Sequence, residues 1–326
     1  MNRPLMLAVA LATHLGSIAG ASAQTWPTRP LTMVVPFAAG GAVDVMGRIL
    51  AQPMSEALGQ QVVVENIGGA GGMTGTARVA KAPPDGYEFV LGLAGTHAQN
   101  QTLYKHPLYD AANDFTPVEL IAEQPTVLVT RKDLPTHSLP EFIAYAKVNQ
   151  AKMQYASAGA GSANHLACVL LNAAAGINIT HIPFRGGGPA MQEVLAGRID
   201  YMCNTLTTAL PQIEAKEVNP VAMLSSKRSP SLPDLASADE QGLHDFDAST
   251  WYAVFLPKGA PAPIVQKLHD AIETSVSKPM VLARFKDIGA DLVAPERRTP
   301  DYLAKFVVSE IARWAVPIRA SGVSMD

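Results

Sequence analysis

The sequence predicts an α/β protein made of two similar, doubly wound lobes. Three observations lead there: a strand–helix–strand–helix–strand series that occurs twice, an apolar run after each copy, and a composition that can fill two cores. Of the 326 residues, 48% are hydrophobic and 16% are charged, which excludes disorder as the main state. Gly and Pro number 25 each without a triplet period, as in a globular chain with many turns.

The first element lies outside this pattern. Met1 to Ala23 reads as a secretory signal, with Asn2-Arg3 as basic head, an apolar stretch from Leu5 to about Ala19, and Ala21-Ser22-Ala23 before a cleavage point at Gln24. The stretch is interrupted by Thr13, His14, Gly16 and Ser17, so it is short for a membrane anchor. The expected mature protein is a monomer exported to the periplasm.

The first copy runs from strand Leu31 to Val35 through the loop Ala38-Ala39-Gly40-Gly41 into a helix from about Val43 to Leu58, stopped by Gly59. Strand Val62 to Glu65, loop Gly68 to Gly72, helix Thr74 to Lys81, turn Pro84-Asp85-Gly86 and strand Glu88 to Leu93 complete it. The second copy follows the same order: strand Gln154 to Ser157, loop Gly159 to Ser162, helix Asn164 to Ala175, strand Asn178 to Ile182, loop Gly186-Gly187-Gly188, helix Pro189 to Ala196 and strand Ile199 to Cys203. Residue identity between the copies is low, so the repeat is one of architecture. Apolar runs at Val127-Leu128-Val129 and Trp251 to Pro257 mark two crossings that would form a two-strand hinge. Helices Ala262 to Ser277, Val281 to Gly289 and Pro300 to Ala320 then return to the first lobe. This places lobe 1 at 24–125 and 250–326, and lobe 2 at 126–249.

Cys168 and Cys203 fit neither a zinc nor a CxxC spacing. In an oxidising compartment they can pair, closing a loop of about 35 residues; two buried free thiols are the other reading. A net charge of −3, with no basic cluster longer than Arg297-Arg298, leaves no field to hold nucleic acid.

In open α/β folds the loops at the carboxyl edge of the sheet bind ligands, and each copy brings two glycine-containing loops to that edge. The unpaired N–H groups of a helix N-terminus suit a carboxylate or phosphate, and glycine lets the ligand approach. No P-loop occurs, and Gly69-Ala70-Gly71-Gly72 lacks dinucleotide spacing. No cofactor is expected. Arg185 is the only permanent cation near the predicted cleft, so anion recognition rests on backbone amides and hydroxyls. His97 and His165 have no second His or Cys at metal spacing. Ser162 lacks the nucleophile-elbow context and reads as a helix cap. Asp44 complements a helix dipole. Phe37 and Phe184 serve as cleft walls or as core, and Trp251-Tyr252 as hinge packing.

Trp26-Pro27-Thr28-Arg29-Pro30, then Val34-Val35-Pro36-Phe37-Ala38-Ala39-Gly40-Gly41 and Asp44, resemble the opening of the Bug family, the receptors of tripartite tricarboxylate transporters. Further matches are Val64-Glu65-Asn66, Pro84-Asp85-Gly86-Tyr87, Gly95-Thr96-His97, Leu103-Tyr104, Tyr155 to Gly159, Ser162 with His165-Leu166, and Ser229-Pro230 with Leu232-Pro233. The resemblance runs from Trp26 to the C-terminus. It implies a type II periplasmic binding fold, no enzymatic activity, and a small carboxylate delivered to membrane permease subunits. A sensory receptor or an exported hydrolase are the alternatives. The implied ligand-binding residues are Phe37, Ala38, Ala39, Gly40, Gly41, Gly95, Thr96, Ser157, Ala158, Gly161, Ser162, Asn164, Arg185, Gly186 and Asn204. Two departures stand out: Ile67-Gly68 where many members have Arg-Pro, and Asn204 where many have Asp. Without a carboxylate at 204 a ligand ammonium loses its partner, which favours a non-amino carboxylate.

Overall fold

Apolar β-branched runs and glycine-rich turns assemble into two sheets in the computed structural model, which describes residues 26–326. The expected signal segment lies outside the described residues. The chain runs β1 (Leu31–Val35), α1 (Ala42–Leu58), β2 (Val62–Asn66), α2 (Met73–Ala80), β3 (Glu88–Leu93), α3 (Asn100–Leu103), β4 (Phe115–Gln124) and β5 (Thr126–Arg131). Next come α4 (Leu139–Asn149), β6 (Gln154–Ser157), α5 (Ala163–Ala175), β7 (Thr180–Pro183), α6 (Gly187–Leu195), β8 (Tyr201–Thr205), α7 (Leu206–Glu214) and β9 (Val218–Met223). The last part is β10 (Thr250–Pro257), α8 (Ala262–Val276), α9 (Pro279–Asp287), β11 (Asp291–Leu292) and α10 (Pro300–Ser321).

The first sheet has strand order β11-β4-β10-β3-β1-β2 and the second β7-β6-β8-β5-β9. Within each copy the three strands are parallel, giving β2-β1-β3 and β7-β6-β8. The strand beside each triplet is antiparallel: β10 against β3, and β5 against β8. The sheets are therefore mixed, because a strand entering directly from the other lobe can run against its neighbour without a crossover helix. Those entries are short. Only Pro125 separates β4 from β5, and the return runs through Ser249 into β10. The apolar runs at Val127 and Trp251 are thus the first strands after each crossing, with the crossings at their starting ends.

Each sheet buries both faces. Leu31, Met33, Phe89 and Leu91 pack with α1 and α8, while Val34, Val90 and Phe255 pack with α10 residues Leu303, Val307 and Trp314. In the second lobe Leu128, Tyr201 and Cys203 pack with α4 and α5, and Val127, Val129 and Met202 with α6 and α7. Leu166 of α5 joins the α10 cluster of the first lobe, so α10 ties the lobes together as well as covering one of them.

Cys168 and Cys203 are disulfide-bonded, joining α5 to β8 beneath the cleft. Reduction, or a Cys168→Ser/Cys203→Ser double change, should destabilise the second lobe by about 3–4 kcal/mol on the chain-entropy model. Urea unfolding with and without reductant measures this, and coincident midpoints would contradict it.

Candidate functional site

Between the lobes lies a small cavity of about 30 Å³. Its lining comprises Phe37, Gly41, Ala42, Val43, Leu93 and Tyr252 from the first sheet's lobe, and Ala158, Ala163, Asn164, Gly187, Asn204, Thr205 and Thr208 from the other. No Asp, Glu, Lys, Arg or His is among them.

Four helices begin at this cavity. α1, α6 and α7 start at Gly41, Gly186 and Thr205 with no side-chain cap, leaving their first-turn N–H groups without intrahelical partners and partly positive. By contrast α5 is capped by Ser162, whose side chain accepts from His165 N–H. Glycine at the first two starts and the absence of any loop between β8 and α7 explain the exposed amides. α7 was not anticipated from sequence. The loop expected to be the fourth contributor, Gly68 to Gly72, instead serves the lobe-to-lobe contact: a Cβ on Gly71 would lie 2.5 Å from the carbonyl carbon of Gly161.

Asn204 supplies the most telling side chain. It is fully buried, and its Oδ1 accepts from Asn164 Nδ2 (3.2 Å) and from Thr205 N–H (2.9 Å). Those two donors fix the amide orientation; Nδ2 is buried without a partner, and the residue lines the cavity. The buried Thr208 hydroxyl is also unpartnered. Buried polar groups are normally satisfied, and both of these residues line the cavity.

The lobes also touch directly. Ala38 N–H donates to Arg185 O at 3.0 Å, and Tyr104 OH donates to Ala160 O at 3.1 Å. Asp44 shapes the Pro36 to Gly41 loop by accepting from Gly40 N–H (2.9 Å), Asn66 Nδ2 (2.9 Å) and Arg48. Burial raises its pKa, but bonds from Arg48, Gly40 and Asn66 outweigh this and hold it below the usual carboxylate value. At the hinge, Tyr252 OH donates to Gln124 Oε1 (2.9 Å), and Gln124 Nε2 donates to Thr207 Oγ1 (2.6 Å) and Ile288 O (2.7 Å). The Tyr252 that lines the cavity is thus connected through the crossing strand to α7.

Of the residues expected at the site, Phe37, Gly41, Ala158, Asn164 and Asn204 line the cavity. Ala38 and Gly186 lie at the lobe contact, the ideal Cβ of Gly186 being 3.2 Å from Ala38 Cβ. Gly95 approaches Ala163 and Gly161 packs on Tyr104, while Ala39 and Gly40 are exposed. Thr96 and Ser157 turn away: the Thr96 hydroxyl bonds Leu93 and His97, and that of Ser157 bonds Gly159 and His181. Arg185 is exposed and meets the other lobe through its carbonyl, not its guanidinium. Thr205, Thr208 and Tyr252 were missed. Their signal was a hydroxyl-rich Thr205 to Thr208 run immediately after an apolar strand.

The histidines stand apart from the cavity. His97 is fully buried and stacks on Phe255 at 3.8 Å; His165 accepts from Gly161 N–H and stacks on His181 at 4.0 Å. Burial lowers the His97 pKa to about 3, and burial together with His181 lowers that of His165 to about 3. A second groove crosses the hinge beside Pro125, Ser225 and Trp251, but its Glu123, Arg228 and Glu310 are already paired, with Arg297, Glu240 and Arg313.

Two α/β lobes joined by paired crossings, meeting on a neutral cavity ringed by helix starts, define a solute-binding receptor. The chain belongs to the tripartite tricarboxylate transporter receptor family, whose pattern matches residues 46–323. It is 36% identical to the protein BugT of Bordetella pertussis over 329 residues, covering all of both chains. Among solved structures it resembles MatC of Rhodopseudomonas palustris with bound malate, at 39% identity and TM-score 0.87, covering 90% of this chain and 99% of that one. It also resembles the R. palustris protein Rpa4515 with adipate, at 34% identity and TM-score 0.87, covering 92% and 99%.

Two outcomes follow from this geometry. A Cβ on Gly188 would meet only the opposite lobe, 3.0 Å from Gly40 O, so Gly188→Val should weaken ligand binding at least about tenfold (1.4 kcal/mol) while each lobe keeps its own packing. Calorimetry with near-ultraviolet dichroism on the same sample checks both halves. Separately, His97 and His165 are held neutral in the fold but take up protons near the ordinary value of 6.5 once unfolded. The unfolded state then binds more protons, so stability falls as pH drops from about 6.5 toward about 3, by on the order of 2 kcal/mol per histidine at pH 5. Urea midpoints that stay level from pH 7 to pH 5 would exclude it.

Proposed function

We propose that this protein is a periplasmic receptor that closes on a short aliphatic dicarboxylate and passes it to permease subunits of a tripartite tricarboxylate transporter. The observation that carries the reading is Asn204, a cavity-lining residue whose Nδ2 is a buried donor without a partner, beside uncapped helix starts. An acceptor with negative charge satisfies all of them at once. The helix α1 amides lie on one lobe and those of α6 and α7 on the other, with Phe37, Val43, Leu93 and Ala158 between. Two anionic ends separated by an apolar middle fit that layout. Malate in MatC and adipate in Rpa4515 have the same character.

Charge-assisted hydrogen bonds contribute about 1.5–3 kcal/mol each, so three or four carry much of the roughly −8 kcal/mol of a micromolar complex. The hinge at 125 and 249 lets lobe 1 (24–125 and 250–326) and lobe 2 (126–249) part. Ligand favours the closed form because only that form presents both sets of amides. Covalent chemistry has no role in this reading: His97 and His165 are buried, neutral and absent from the cavity lining. Asn204 donates where a carboxylate would accept, which selects against an ammonium group on the ligand.

A thermal-shift screen of aliphatic dicarboxylates, tricarboxylates, aromatic acids and acidic amino acids tests the class; a ligand at 100 times its Kd adds about 2.7 kcal/mol. Dicarboxylates should shift the protein most, and aspartate or glutamate outcompeting them would refute the assignment. Asn204→Asp replaces a donor by a like charge and should weaken dicarboxylate binding about a hundredfold, or 2.7 kcal/mol, by calorimetry.

A further inference from the structure

Glu119 is a fully buried carboxylate in the middle of β4 and takes no part in the cavity. It faces α8, where His269 and Glu273, one helical turn apart, present side chains on the same face. One ligand atom from each of the three lies within 4.8 Å of the others. Glu119 Oε2 is 2.8 Å from His269 Nδ1, yet both Glu119 oxygens and this nitrogen lack an aligned hydrogen bond. A buried charge with an oxygen left over is costly unless something else completes it.

We propose that Glu119, His269 and Glu273 form a divalent transition-metal site that clips strand β4 to helix α8. Two carboxylates and one imidazole suit Zn²⁺ with a fourth position for water; they are too few oxygens for Ca²⁺ and include no thiolate for softer ions. With metal–ligand bonds of 2.0–2.2 Å, tetrahedral donors sit about 3.4 Å apart, so the present spacing needs only side-chain adjustment. Arg298 donates to Glu273 Oε2 at 3.1 Å and is itself tied to Val293 O at 2.8 Å. That places a fixed outer partner on a ligating carboxylate, as metal sites require. Glu119 is buried while His269 and Glu273 are partly exposed, which gives the ion a route in.

The test uses untagged protein stripped with chelator and titrated with ZnCl₂. One equivalent should bind, and zinc at a hundredfold excess over its Kd should raise Tm by about 4 °C. Glu119→Gln, which preserves shape, and His269→Gln should each lower zinc affinity at least tenfold, and Co²⁺ should give four-coordinate visible absorption that His269→Gln abolishes. Carboxylate binding by each variant reports that the fold is intact, and it keeps this result separate from the function proposed above. No saturable one-equivalent binding, or a zinc shift retained in both variants, would overturn the site.

Discussion

A helix that begins in a buried place leaves peptide N–H groups that must find an acceptor, and at the cleft of this protein three helices begin without one of their own. Three other helices carry side-chain caps: Ser138 for α4, Ser162 for α5 and Thr299 for α10. The uncapped starts are confined to α1, α6 and α7 among the helices that line the cavity, where a capping oxygen would occupy the space of a ligand oxygen. The neutral lining follows from the same constraint. An arginine or lysine would supply attraction too, but helix amides supply it from rigid elements that need no ordering on binding.

Rigid amides on separate bodies help only if the bodies can approach closely. Gly41, Gly186 and Gly188 allow backbone to meet backbone across the cleft, with Ala38 N–H bonded to Arg185 O. The relay from Tyr252 through Gln124 to Thr207 runs from the cavity wall to the helix that carries another set of free amides. Such a chain fixes the angle between the lobes as well as their separation. It also explains why Gln124, next to the single-residue crossing, is fully buried.

Buried polar side chains in this protein fall into groups with different physical origins. Asp44 and Glu310 are satisfied by several donors and shape a loop and a helix face. His97 and His165 remain neutral within aromatic stacks. Asn204 and Thr208 are incomplete at the cavity, and Glu119 is incomplete away from it. Unpartnered atoms also occur within the fold, His97 Nε2 among them, so it is their place on the cavity lining that ties Asn204 and Thr208 to a ligand.

The sequence by itself determined the repeated strand and helix series, the glycines that open the binding loops, and the family, because these depend on local periodicity and turn chemistry. Strand β1 from Leu31 to Val35 and strand β3 from Glu88 to Leu93 are legible from apolar runs bounded by turns. Only the tertiary structure decided which side chains meet. Thr96 and Ser157 sit in matching motifs but turn inward to satisfy their own loops; Thr208, unremarkable in sequence, and Tyr252, expected only as hinge packing, reach the cavity. Antiparallel β5 and β10, the start of α7 at the cleft, and the pairing of Cys168 with Cys203 likewise depend on contacts between segments far apart in the chain. A residue's type fixes what it can bond, whereas the folded neighbours fix which of those bonds remain free.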